Sequence, residues 1–179
     1  MKEIEAKVLE INKEEIITKL ESLHAKKILN NAFIEDCLFD FANNDIKKKK
    51  ELLRVRKINQ DCYLTYKKNL IMTNISKTED EFETKVKDAE TIKTILMHLG
   101  FKITQMRQKY RTSYMLEDTR IEIDSLPDIP TYIELESPSE EKIKQTLQKL
   151  NIPLEKALPI TGGDVIRKYG KDPKNLLFS

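Results

Sequence analysis

Glu3-Ile4-Glu5-Ala6-Lys7 alternates residue by residue, with Ile4, Ala6 and then Val8 on one face and Glu3, Glu5 and Lys7 on the other. That period-two pattern predicts a β-strand over residues 2 to 10 with one charged face. The same pattern recurs along the chain. Arg54 and Arg56 share a face of Leu52-Leu53-Arg54-Val55-Arg56, and Lys67 follows in the next strand; Arg107, Lys109 and Arg111 share another. Glu81 pairs in this sense with Glu83, Glu122 with Asp124, and Glu134 with Glu136. An ordinary half-buried sheet also has a polar face, whose charges meet water and pair across strands. Here, however, several stripes are purely basic and others purely acidic, which a mixed surface alternation does not produce. A closed barrel with both kinds of stripe inside would be a tunnel, cation-lined in one part and carboxylate-lined in another.

The intervening segments supply the rest of such a sheet. A helix is expected from Lys13 to Leu23, where Ile16, Ile17, Leu20 and Leu23 recur at helical spacing behind the N-cap residue Asn12. Phe33 to Phe41 reads as a strand ending at Asn43-Asn44-Asp45, and the run Lys47 to Lys50 as a solvated loop. Leu52 to Ile58 and Cys62 to Lys68 form a hairpin around Asn59-Gln60-Asp61, and Thr78 to Val86 alternates again. A second helix runs from Asp88 to Leu99, stopped by Gly100. Strands over Phe101 to Met115, Leu116 to Asp124 and Thr131 to Glu136 follow, joined at Glu117-Asp118 and at a Pro127 to Pro130 turn. A helix from Ser139 to Leu150 and a short one near Asp164 to Tyr169 close the chain. Eight strands with short connections and inserted helices argue for an α+β fold built on an antiparallel sheet.

With 179 residues the expectation is one domain, a barrel core over 1–137 and a helical segment over 138–179. A net charge of +2 gives no global reason to expect a nucleic-acid binder, so any basic site must be local. No apolar stretch suits a signal peptide or a bilayer span, which points to a cytoplasmic protein with no membrane partner. Cys37 and Cys62 lie far apart without a metal-ligand spacing and read as buried thiols. His24 and His98 fall at helix ends, where capping is the commoner role.

The two kinds of stripe suit a polyphosphate. Arginines hold phosphate oxygens through charge-assisted hydrogen bonds and lysines act as point charges. Clustered carboxylates are the usual ligands of Mg²⁺ or Mn²⁺, which also coordinate phosphate oxygens.

Taken in order, Glu3-x-Glu5-x-Lys7, Leu53-Arg54-Val55-Arg56, Lys67, Glu81-Phe82-Glu83, Lys109-x-Arg111, Asp124 and Ile133-Glu134-Leu135-Glu136 resemble the CYTH domain, also called the triphosphate tunnel metalloenzymes. The resemblance runs from the first residues to about Glu136, more weakly beyond. It implies a closed eight-stranded antiparallel β-barrel with flanking helices, forming a tunnel for a small-molecule triphosphate. It also implies that Glu3, Glu5, Glu134 and Glu136 surround a Mg²⁺ or Mn²⁺ ion with Asp124 nearby. Lys7, Arg54, Arg56, Lys67, Lys109 and Arg111 correspond to the phosphate-binding set, with Arg107 on the same face. In many members of the family a basic residue near the C-terminus reaches the tunnel mouth, for which Arg167 or Lys168 is the candidate. Related barrels can pair, so a homodimer stays open.

The expected activity is metal-dependent hydrolysis of inorganic tripolyphosphate, thiamine triphosphate or a nucleoside triphosphate. Glu3, Glu5 or a carboxylate neighbouring them in the barrel would position the attacking water, and Lys7 would complete the catalytic set. The alternatives are a class IV adenylyl cyclase, which replaces water by the ribose 3′-hydroxyl, a non-catalytic polyphosphate-binding module, and a barrel whose charges are only surface ion pairs. The group attached to the triphosphate would be read by loops such as Asp45 to Lys50 and by the C-terminal tail. Tyr66, Tyr110 and Tyr114 are candidates to stack on it, against the commoner role of strand aromatics in packing.

Overall fold

The computed structural model describes residues 2–179. Its strands are β1 (Lys2–Val8), β2 (Lys26–Asp40), β3 (Leu52–Ile58), β4 (Asp61–Met72), β5 (Lys77–Val86), β6 (Lys102–Leu116), β7 (Thr119–Leu126), β8 (Ile129–Ser137) and the two-residue β9 (Asn175–Leu176). Between them lie α1 (Lys13–Ser22), α2 (Asp45–Lys48), α3 (Ala89–His98), α4 (Glu140–Lys149) and α5 (Gly162–Lys168). The strand order is β2-β3-β4-β5-β1-β8-β7-β6, and pairing of β6 back onto β2 closes the eight into an antiparallel barrel. β9 then adds a short parallel strand to β6 at Met106 and Arg107.

Local chemistry explains the helix positions. The Asn12 side chain accepts from the backbone N–H groups of Glu14 and Glu15 at 3.1 and 3.3 Å, and Asp88 and Ser139 cap α3 and α4 in the same way. Thr161 and Asp164 form a capping box at α5. Gly100, at φ +93°, takes the left-handed turn that ends the α3 segment.

Several boundaries depart from the sequence expectation; β4, for one, runs on to Met72 past the expected end at Lys68. β2 begins at Lys26 and not Phe33, because the exposed, polar first half of that strand (Lys26, Lys27, Asn30, Asn31) pairs with β6 through two register shifts. The lysine run begins inside the single helical turn of α2, held by Asp40, whose carboxylate accepts from the backbone of Ile46 and Lys47 at 2.9 and 3.0 Å. β9 is too short to leave a periodic signal.

The barrel is hydrophobic outside and charged inside. Ala6, Val8, Tyr114, Ile121, Ile123, Ile133 and Leu135 pack outward against Ile16 and Leu20 of α1 and Ile143 and Leu147 of α4. Cys37, Phe39, Val55 and Cys62 pack outward against Ala89 and Leu96 of α3. The helices are therefore needed to keep the apolar outer face from water. α5 does something different: Val165 and Ile166 pack on Leu126, Ile129 and Tyr132 across one end of the barrel.

Candidate active site in the barrel interior

The charged stripes face inward and are buried. Glu5 is 4% exposed, Lys7 2% and Asp124 0%, which rules out the surface ion-pair reading for this face. A cavity of about 180 Å³ runs through the interior. Its lining brings together Glu3, Glu5, Lys7, Arg54, Arg56, Lys67, Arg107, Lys109, Arg111, Glu134 and Glu136. Strand pairing explains the convergence: Lys7 is in register with Glu134, Arg56 with Asp36, Lys67 with Glu81, and Arg111 with Asp124. At these positions opposite charges face one another across strands, whereas Glu3 and Glu79, Glu5 and Glu136, and Glu122 and Glu134 set carboxylate against carboxylate.

The basic groups are held by this cross-strand pairing. Arg111 donates to both oxygens of Asp124 at 2.6 Å and to Glu134 at 2.9 Å, and also contacts Glu122. Lys109 donates to Asp124 at 2.6 Å. Arg56 grips Asp36 through two bonds of 2.6 and 2.8 Å. Arg54 lies 3.7 Å from Glu83 and donates to Thr65 at 3.3 Å. Lys67 contacts Glu3 and lies 3.4 Å from Glu81. Lys7 contacts Glu5 and lies 3.3 Å from Glu134.

Two groups of three carboxylates each offer oxygens within 4.8 Å of one another: Glu3, Glu5 and Glu79, and Glu122, Glu134 and Glu136. Each group contains two residues of the expected metal set and one outside it. Glu79 continues the Glu81 and Glu83 stripe by one more alternate position, and Glu122 was visible beside Asp124. Asp124 belongs to neither group; it is fully buried between Lys109 and Arg111. Lys77 was also missed. It contacts Glu79 and sits 3.1 Å from Glu5.

The electrostatics separates the carboxylates. Burial works against the charge of Glu5, but Lys7 and Lys77 overcome it and hold its pKa down to about 2. Burial likewise opposes ionisation of Glu134, and Lys7, Lys109 and Arg111 bring it well below the usual range. Glu136 goes the other way: burial, then the carboxylates of Glu122 and Glu3, push it well above that range. Among the described residues Glu136 has no ion pair. Glu122 is also pushed up by burial and by Glu134 despite its contact with Arg111. A cation with hard-oxygen preference placed among Glu122, Glu134 and Glu136 would relieve this crowding, so the donor set fits a divalent metal.

At the α5 end, Arg107 donates to the Pro173 carbonyl at 3.2 Å, and burial lowers its pKa. Gly163 permits this approach, because a Cβ there would lie 3.3 Å from an Arg107 nitrogen. Arg167 instead binds Asp164 at 2.7 Å, and neither it nor Lys168 lines the cavity. The histidines stand outside, His98 against the Thr94 carbonyl at 2.9 Å. Tyr114 packs in the outer core and Tyr110 against Phe33 and Phe178. Among the described residues no helix is long and apolar enough to cross a membrane.

Comparison with known proteins agrees with this geometry. A family model described as the CYTH domain matches residues 1–167. A Methanocaldococcus jannaschii protein with the name "Putative adenylate cyclase" is 33% identical over 169 residues, covering 94% of this chain and 95% of the relative. An X-ray structure from Vibrio parahaemolyticus superposes with a TM-score of 0.83 at 13% identity, covering 92% of this chain and 97% of the other. The PH1012 protein of Pyrococcus horikoshii gives 0.75 at 26% identity, covering 91% and 98%.

Proposed function

The chain belongs to the CYTH domain family, and from that premise we propose that it is a divalent-metal-dependent hydrolase of triphosphate substrates. One observation carries the reading. A single cavity is lined by nine basic side chains, Lys7, Arg54, Arg56, Lys67, Lys109 and Arg111 among them, beside two carboxylate triplets. Without a ligand the basic groups neutralise the acids, which leaves the interior filled with ion pairs that cost desolvation. A triphosphate and a cation exchange these pairs for equivalent ones, with the phosphates on the arginines and lysines.

Glu122, Glu134 and Glu136, with Glu3 and Glu5 from the adjacent strand β1, would hold Mg²⁺ or Mn²⁺. The ion would polarise the phosphoryl group and help neutralise the charge that develops on it. Arg54, Arg56 and Arg111 orient the phosphate chain, and Lys7, Lys67 and Lys109 balance its charge. Glu5, kept ionised by Lys7 and Lys77, accepts a hydrogen bond from the attacking water and orients it. The substrate is a small molecule, and the protein is read as one domain of the cytoplasm.

The name of the archaeal relative favours a second reading, cyclisation of ATP to cyclic AMP and pyrophosphate in the same tunnel. The test is incubation with tripolyphosphate, thiamine triphosphate and ATP in Mg²⁺ or Mn²⁺, with products separated chromatographically. Orthophosphate is expected; cyclic AMP with pyrophosphate would select the cyclase, and no turnover of any substrate would leave neither reading standing.

A further inference from the structure

Two tyrosines are buried among the described residues, Tyr114 at 0% and Tyr132 at 2% exposure, and their hydroxyls are treated differently. Tyr114 donates to Glu21 at 3.2 Å, just as the less buried Tyr66 and Tyr169 donate to Glu51 at 2.8 Å and Glu10 at 2.9 Å. The Tyr132 hydroxyl makes no hydrogen bond among the described residues. Asp124 lies opposite it on β7, but both oxygens of that carboxylate are taken by Lys109 and Arg111. The tyrosine lines the tunnel cavity, and its oxygen is not sealed from that space.

Packing does not require that oxygen. Tyr132 points inward with Glu134 and Glu136, while Ile133 and Leu135 between them point outward. Its ring packs among Leu126, Ile129, Val165 and Ile166, all apolar. A phenylalanine would fill this space equally well, without the cost of a desolvated hydroxyl that has no partner. Arg107 faces the same end of the cavity and lies close enough to Tyr132 to sense its charge. A Cβ on Gly162 or Gly163 would lie 3.8 or 3.3 Å from its guanidinium nitrogens, which places that group at the start of α5. Arg107 bonds the Pro173 carbonyl at 3.2 Å and Gln105, and among the described residues it forms no ion pair. A free O–H donor and a guanidinium without a carboxylate, facing one cavity, together suit an anionic oxygen.

Building on the triphosphate reading above, we propose that Tyr132 is a further substrate-binding residue, whose hydroxyl donates a hydrogen bond to an oxygen of the phosphoryl group nearest α5, beside Arg107. The two side chains divide the task. Arg107 supplies charge, and the phenol supplies direction, because a hydrogen bond weakens steeply off its axis and the ring is held by the apolar side chains of α5. The phenol keeps its proton throughout the reaction.

The experiment compares wild type with Tyr132→Phe, which removes one oxygen and keeps the ring. Kinetics are measured in saturating Mg²⁺ or Mn²⁺ on whichever of tripolyphosphate, thiamine triphosphate and ATP the wild type turns over. Urea unfolding without substrate, in EDTA, is followed by circular dichroism. Tyr132→Phe should lower kcat/KM by roughly 5- to 100-fold, the range of a lost hydrogen bond to a charged group. Its substrate-free unfolding midpoint should be unchanged or raised, because the substitution orphans no protein partner. A purely structural tyrosine would move the midpoint down instead. A loss in kcat/KM below about fivefold, or any loss accompanied by a lowered midpoint, would overturn the proposal while leaving the triphosphatase intact. Absence of turnover on all three substrates by the wild type would overturn the underlying reading as well.

Discussion

Replacing Glu136 by glutamine should make the metal-free protein more stable and the metal-loaded protein less so. Oxygens of Glu136, Glu122 and Glu134 lie within 4.8 Å of one another. Two unit charges at that separation repel by roughly 3.5 kcal/mol at an effective dielectric constant of about 20. Arg111, which contacts both Glu122 and Glu134, and Lys7 on Glu134 cancel part of this, leaving on the order of 1–2 kcal/mol. Glu136→Gln should therefore raise the free energy of urea unfolding in EDTA by about 1–2 kcal/mol near pH 8. The pH dependence has a definite sign. Because the folded-state pKa of Glu136 is raised, its contribution to stability is fully present below the unfolded value of about 4.3 and is lost as pH rises toward the folded value. The mutant and wild type should thus converge near pH 4 and diverge above it. With Mg²⁺ at 100 times its dissociation constant, wild type gains about 2.7 kcal/mol, and the mutant, binding metal at least roughly tenfold more weakly, gains correspondingly less. A mutant less stable than wild type in EDTA, or stabilised equally by Mg²⁺, would refute both the crowding and the metal assignment.

Two further outcomes follow from the same interior. Burial and the Arg111 guanidinium lower the pKa of Lys109, so KM for tripolyphosphate should begin to rise with pH before the ordinary lysine range near about 10.4. Lys109→Arg, charged throughout, should move that rise to higher pH; an unchanged alkaline limb would show that Lys109 does not meet the phosphates. Ile166, 1% exposed, should cost about 2–5 kcal/mol in urea unfolding when truncated to alanine; a change below about 1 kcal/mol would mean that α5 does not seat in the barrel end.

The barrel was legible because nearly every strand obeys one rule, charge inside and apolar outside, and period-two patterning reports that rule directly. The basic stripes and five of the six acidic residues of the two triplets could be read the same way. Pairing across strands could not. Glu79 enters its triplet through the β1–β5 register, which sets Glu3 directly opposite it, and Asp36 enters the site through its register with Arg56. Asp124 was read as near the metal, yet its setting between Lys109 and Arg111 depends on side-chain reach that alternation does not encode. The exposed Phe82 looked like any strand aromatic, since alternation does not report how much of a strand face its neighbours cover.

The helix laid across one end of the barrel has a kinetic implication. Where α5 obstructs one end, a substrate that threads its phosphates toward it withdraws by the mouth through which it entered. The fragment nearest that mouth leaves first, and the innermost one waits behind it. The order of product release is then set by the architecture and not by relative affinity, and the outer product at high concentration should trap the inner one.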